Sequence, residues 1–383
     1  MRRFRWFEPC CSLATLLIFP AYSSGENVQL RSRILKEVRQ LSISTPEGYR
    51  TETDGYPVLY ILDGETHADY ASGIVRFLAD NDRIPKLIVV GIESGSLERR
   101  RRDFTTPSES ELDKRFSPGG GGADQFSGFL SEELIPYVEN NYRTKPFKIL
   151  VGHSLGGLFA VHTLITAPKL FNAFIAMDPS LEWNDRGEVA QAEKFFRTTK
   201  ELPGDLVLTA SNDLGNPPAG VRRLATVLET KAPTGLRWKY EWMKDETHSS
   251  IPLPSLFLGL NSIFDGWHLT SPLDLFDRGG MNAIHRHFRE GGKRYGYDRT
   301  TSPFIVSLVV AGLINAGRLE EASKVLFLDT AAYPPPWNQL DAIARAYAKR
   351  NDSEQAIRFY QLSLKQNPRN EWARRKLAEY GVQ

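Results

Sequence analysis

The chain has 383 residues, 41% hydrophobic and 25% charged, ordinary globular material and long enough for two domains. A net charge of +2 supplies no electrostatic reason to expect nucleic acid. The two cysteines, Cys10 and Cys11, both fall near the amino terminus, so no disulfide framework is expected beyond it.

Residues 1–23 read as a secretory signal peptide. Arg2, Arg3 and Arg5 precede an apolar run from Cys10 to Phe19, and Ala21-Tyr22-Ser23 places small residues where a signal peptidase reads. The apolar run is too short to cross a bilayer, so no transmembrane span is expected in the mature chain. A cysteine-free exported protein points to a bacterial periplasm.

Strands are expected at Leu30–Leu35 and Val38–Ser44, then at Tyr56–Leu62, which ends in Asp63-Gly64-Glu65. A helix at Tyr70–Asn81 and a continuous apolar strand at Lys86–Ile92 follow. Glu93 to Asp124 reads as a polar loop holding the run Arg99 to Arg102, taken as solvated, and the Gly119 to Gly122 tract. A helix at Gln125–Asn140 leads into KPFKILVGHSLGGLFA, Lys145 to Ala160.

That stretch is strand, G-x-S-x-G, helix, the setting of a nucleophile elbow with Ser154 at its apex. A Cβ at Gly152 or Gly156 is expected to collide with neighbouring backbone in so tight a turn. Further strands at Ala173–Met177, Asp205–Ala210 and Leu236–Met243 alternate with helices at Glu188–Thr199 and Ala219–Lys231. The alternation predicts an α/β fold, a mostly parallel sheet sandwiched by helices, over residues 24–268. Ligands of such sheets gather at the carboxyl ends of the strands.

From 269 to 383 the pattern is all-helical. Leu308–Pro334 and Ala342–Pro368 correspond at a spacing of 34, with Ala322 matching Ala356 and Leu326 matching Tyr360. This spacing suggests tetratricopeptide-like repeats, and with them a protein partner. Two helix pairs bury too little alone, so this region is expected to dock on the first.

A serine hydroxyl needs an imidazole to take its proton and a carboxylate to orient that imidazole. Of the histidines after Ser154, His162 suits core packing, and His268, His285 and His287 belong to the helical region. His248, in a polar loop after the last strand, is the expected base. Asp213, in the turn after the preceding strand, is the expected acid, with Asp245 and Glu241 as rivals. The oxyanion donors are expected from the N–H of Leu155 and from Gly64 or Glu65. No metal or cofactor is expected.

On YPVLYILDG from Tyr56, Arg101-Arg102-Asp103-Phe104-Thr105, the GHSLGG elbow, DPSLEW from Asp178 and His248-Ser249, the chain resembles the esterase D-like family of α/β-hydrolases. The resemblance implies hydrolysis of a carboxylic ester, of siderophore, aryl or acyl type, with Ser154 as nucleophile and His248 as base. It also implies that Arg102-Asp103 brace the active-site loop and that Trp183, with His153, lines a substrate pocket. Acyl transfer on the same triad, or a non-catalytic binding module, are the competing readings.

Overall fold

The computed structural model describes residues 25–213, 215–328 and 334–382. The expected signal peptide lies outside them. Among the described residues eight strands form one sheet in the order β1-β2-β4-β3-β5-β6-β7-β8. They are β1 Glu26–Ser32, β2 Glu37–Ser44, β3 Tyr56–Leu62, β4 Ile88–Ile92, β5 Thr144–His153, β6 Ala173–Met177, β7 Glu201–Ala210 and β8 Thr234–Trp242. The pairs β1–β2 and β2–β4 are antiparallel, and the pairings from β4 through β8 are parallel.

All seven residues of β3 are buried, because both faces of the sheet are covered. Val58, Tyr60 and Leu62 enter one core, while Leu59 and Ile61 enter the other. The second face is covered by α1 Gly64–Asp80 and by a helix at Pro252–Ile263. On the first face lie α2 Leu97–Phe104, α4 Ala123–Phe129, α5 Ile135–Asn141, α6 Leu155–Thr166, α7 Trp183–Thr198 and α8 Ala219–Lys231, while the short α3, Glu111–Phe116, is tied to the start of α7 through Asp113 and the Asn184 N–H. A π-helical turn, Leu130–Leu134, joins α4 to α5. The helix at Pro252–Ile263, α9, had no counterpart in the sequence reading.

The arginine run is not a solvated loop but α2. Ser96 caps it by accepting from the Arg99 N–H, and its arginines meet carboxylates. Arg100 Nε lies 2.9 Å from both oxygens of Asp63, and Arg102 bonds Glu37 at 2.7 Å and Asp103 at 2.8 Å. Asp103 and Arg39 are both buried and paired with each other, so neither charge is left uncompensated.

The remaining helices, α10 Pro272–Lys293, α11 Pro303–Asn315, α12 Leu319–Leu326, α13 Trp337–Lys349, α14 Ser353–Gln366 and α15 Glu371–Glu379, enclose a third core from Leu269 to Leu377. The starts of α11 and α13, Pro303 and Trp337, and of α12 and α14, Leu319 and Ser353, are 34 residues apart. This bundle docks at the amino ends of the parallel strands. Tyr295 inserts edge-on against Phe147 of β5 at 5.0 Å, and Arg294 pairs with Asp205 of β7. Among the described residues no helix is long and apolar enough to cross a membrane.

Around the elbow the two glycines differ. A Cβ on Gly152 would overlap the Gly156 backbone carbonyl, whereas one on Gly156 meets Leu62 side-chain atoms at 3.5 Å and an Asp63 carboxylate oxygen at 3.7 Å, both ordinary contacts. The reciprocal collision expected at Gly156 is absent, and the second tight glycine is Gly157, where a Cβ would lie 2.9 Å from Pro179 Cβ. Gly152→Ala should therefore cost more than about 3 kcal/mol or prevent folding. Gly156→Ala should stay within about 1 kcal/mol of wild type. Urea unfolding of the two variants side by side measures the contrast.

Candidate active site

The carboxyl ends of β3, β5 and β6 converge on one point. At the end of β5, Ser154 takes φ 60° and ψ −117°, a backbone state that costs a non-glycine residue energy and turns the chain directly into α6. Its N–H donates to Met177 of β6 at 3.0 Å, and its carbonyl accepts from Ser180 N–H at 3.0 Å. The turn Asp178-Pro179-Ser180 is thus stitched to the elbow by main chain. Ser154 Oγ lies 3.1 Å from Ser180 Oγ.

His248 is half-buried on the loop after β8, and its ring packs against His153 at a tilt of 39°, with centroids 4.5 Å apart. Its Nδ1 is 2.6 Å from Oδ2 of Asp178, not from Asp213. The expectation for the acid is corrected on geometric grounds. Asp213 lies beyond the end of β7, two strands from β5, and is exposed. Its two oxygens accept the backbone N–H of His248 at 3.1 and 3.0 Å, so it positions the loop rather than the ring. The rival Glu241 faces Lys239 on β8, at 3.8 Å. Asp178 ends β6, next to the elbow strand, which brings its carboxyl within reach. The available signal was an aspartate ending an apolar strand, the same feature that marked Asp213.

Burial pushes the Asp178 carboxyl up. Hydrogen bonds from the His248 ring and from the Ser211 hydroxyl and N–H, at 2.6 and 2.9 Å, outweigh it and leave the group below the ordinary aspartate value. It is therefore a carboxylate at neutral pH, able to hold the His248 Nδ1 proton and orient the ring.

Leu155 opens α6, and Gly64 and Glu65 open α1 beyond the left-handed Asp63. The first N–H groups of a helix have no partner within it, so both helix starts present donors at the carboxyl end of the sheet. Gly64 is glycine for packing, since a Cβ there would lie 2.6 Å from the Gly91 carbonyl carbon of β4. Glu65 ties this start to the β4–α2 loop, accepting the N–H groups of Ser94 and Gly95 at 3.1 and 3.0 Å. Arg100, between the Asp63 carboxylate and the His153 carbonyl at 3.1 Å, links the α1 start to the elbow strand.

A cavity of about 470 Å³ opens here, lined by Asp63, Glu65, His67, Arg100, His153 and Ser249 among others. Trp183 does not line it. The indole is 7% exposed, donates to Thr106 O at 2.9 Å and packs under Gly120, holding the 105–122 loop to α7. His162 is buried in α6 against Glu188 and Asp124.

A serine at a strand–helix elbow, with an aspartate at the end of the next strand bonded to a histidine from the loop after the last strand of a mostly parallel sheet, defines an α/β-hydrolase. Residues 32–247 match the family described as "Putative esterase", and the chain belongs to that family of ester hydrolases. It is 33% identical to the Ferri-bacillibactin esterase BesA of Bacillus subtilis over 221 residues, 53% of this chain and 76% of that protein. To the Siderophore triacetylfusarinine C esterase of Aspergillus fumigatus it is 25% identical over 261 residues, 58% of this chain and 86% of the other. An IroE-like serine hydrolase from Shewanella oneidensis aligns over 89% of this chain and 99% of its own, with TM-score 0.60 and 25% identity. That share extends beyond the sheet domain into the C-terminal helices.

His153 is pushed down to about 3, first by burial and then by His248, His67 and Arg100 around it. Its unfolded counterpart titrates near ~6.5. A histidine held neutral in the fold contributes stability that is present above that value and lost as pH falls below it. Wild type should lose about 1.4 kcal/mol per pH unit from this group between roughly pH 6 and pH 4. Urea midpoints at pH 7, 6, 5 and 4 should fall less steeply for His153→Asn; parallel slopes would show that the ring is not held neutral.

Proposed function

We propose that this chain hydrolyses the ester bonds of a siderophore through an acyl-enzyme on Ser154, with His248 as general base and Asp178 orienting it. The observation that carries this reading is the 2.6 Å contact between His248 Nδ1 and the buried Asp178 carboxylate, beside the strained Ser154. The carboxylate fixes the proton on Nδ1 and leaves Nε2 free to take the serine proton. As the ester carbonyl becomes tetrahedral, its oxygen gains charge that the Leu155 and Gly64 or Glu65 N–H groups can stabilise.

The substrate class rests on relatives named as siderophore esterases in a bacterium and a fungus. The cavity beside the elbow carries the polar side chains of Asp63, Glu65, His67 and Arg100, which can hydrogen-bond an oxygen-rich acyl group. The helical bundle docks at the opposite ends of the strands, so substrate contacts come from the loops of the sheet domain. The 34-residue recurrence of its helix pairs supports the tetratricopeptide-like reading of that bundle.

The test is hydrolysis of an ester-linked siderophore, iron-free and iron-loaded, beside a p-nitrophenyl ester series. Wild type should cleave the siderophore in preference, and Ser154→Ala should show no turnover. Asp178→Asn should lower kcat by about 10⁴-fold, the effect of losing the orienting carboxylate. Asp213→Asn should change kcat by less than about tenfold, since its oxygens hold only a backbone N–H. A larger loss at Asp213 than at Asp178 would return the acid role to Asp213, and preference for long-chain p-nitrophenyl esters would remove the siderophore assignment.

A further inference from the structure

The nucleophile's hydroxyl has a neighbour that the triad chemistry does not use. Ser180 Oγ stands 3.1 Å from Ser154 Oγ. Its position is set by backbone: Ser180 N–H bonds the Ser154 carbonyl, Asp178 N–H bonds Thr209 O at 3.1 Å, and Pro179 packs on Gly157. One three-residue turn therefore presents both the carboxylate to His248 and a hydroxyl to Ser154.

Each hydroxyl carries one proton and can accept two hydrogen bonds. For attack on an ester, the Ser154 proton must pass to Nε2 of His248. The contact between the two serines can persist through that step only with Ser180 as donor. Its O–H then points at the oxygen on which negative charge grows, the arrangement by which fixed donors lower a barrier.

We infer that Ser180 is a further catalytic residue, donating its hydroxyl hydrogen to Ser154 Oγ as that oxygen attacks and again as it departs. The inference rests on the proposed role of Ser154. In acylation the Oγ proton goes to His248, an Oγ lone pair forms the bond to the carbonyl carbon, and the carbonyl π pair moves onto its oxygen. Collapse expels the alcohol, which takes the proton from His248. In deacylation water adds to the acyl carbon, giving its proton to His248. The Oγ–carbon pair then returns to Oγ, which regains a proton from His248. The Ser180 proton stays on Ser180 throughout.

Ser180→Ala tests this, because it removes the hydroxyl and keeps the N–H that bonds the elbow. Turnover, KM, thermal midpoint and the rate at which an alkyl fluorophosphonate modifies Ser154 are measured in both proteins. The variant should lose about tenfold or more in kcat and in phosphonylation rate together, the scale of one donor removed from a charged transition state. KM and thermal midpoint should stay at the wild-type values. An unchanged phosphonylation rate in the folded variant would overturn the role of Ser180 alone. A wild type that takes no phosphonyl group at Ser154 would overturn the nucleophile and Ser180 together.

Discussion

The elbow depends on two backbones coming closer than any side chain would allow. Gly152 lies against the Gly156 carbonyl, and Gly157 lies against Pro179. The first approach bends the chain at Ser154 into φ 60°, and the second presses the end of β6 onto the start of α6. Strain of this kind persists only where surrounding structure over-determines it. Here the surroundings are the Ser154 N–H on Met177 O, the Ser180 N–H on Ser154 O, and a helix and sheet buried on every side. The chemistry follows, because the turn from Asp178 to Ser180 has no freedom to place its side chains elsewhere.

Charge around the site is arranged by the same economy. Asp178 is buried yet accepts three hydrogen bonds, which outweigh the upward push of burial and keep its carboxyl below the ordinary aspartate value. His153, beside it in space, has no carboxylate partner and is held neutral. Asp63, at a left-handed position, takes Ser94 Oγ at 2.6 Å and the Arg100 guanidinium, so the start of α1 is locked to α2 and the elbow strand. The helical bundle meets the sheet at its other end, through Tyr295, Arg294 and Arg299, whose guanidinium lies 3.6 Å from the Trp267 ring centroid. Reaction and docking surfaces are therefore separated by the length of the strands.

Much of this was legible in the chain. The apolar run of β3, the strand–G-x-S-x-G–helix sequence and the alternation that follows depend on local periodicity and on glycine at short spacing. Such features carry their meaning within a few residues. The arginine run of α2 was misread because periodicity cannot show the carboxylates of Glu37, Asp63 and Asp103 that neutralise it. The place of Trp183 was hidden for a similar reason, since its indole partner, Thr106 O, lies 77 residues away.

The sequence by itself determined the parallel sheet, the serine at its elbow and the histidine after its last strand. Local chain geometry suffices for the first two, and the polar loop after a terminal apolar strand for the third. Only the tertiary structure shows that the aspartate meeting the His248 ring is Asp178, which the sequence did not single out, and not the expected Asp213. Strand order settles the choice, because β6 lies beside the elbow strand and β7 one strand further out. The nearness of Ser180 to Ser154 was hidden for the same reason: 26 residues of chain separate two hydroxyls that the sheet brings to 3.1 Å.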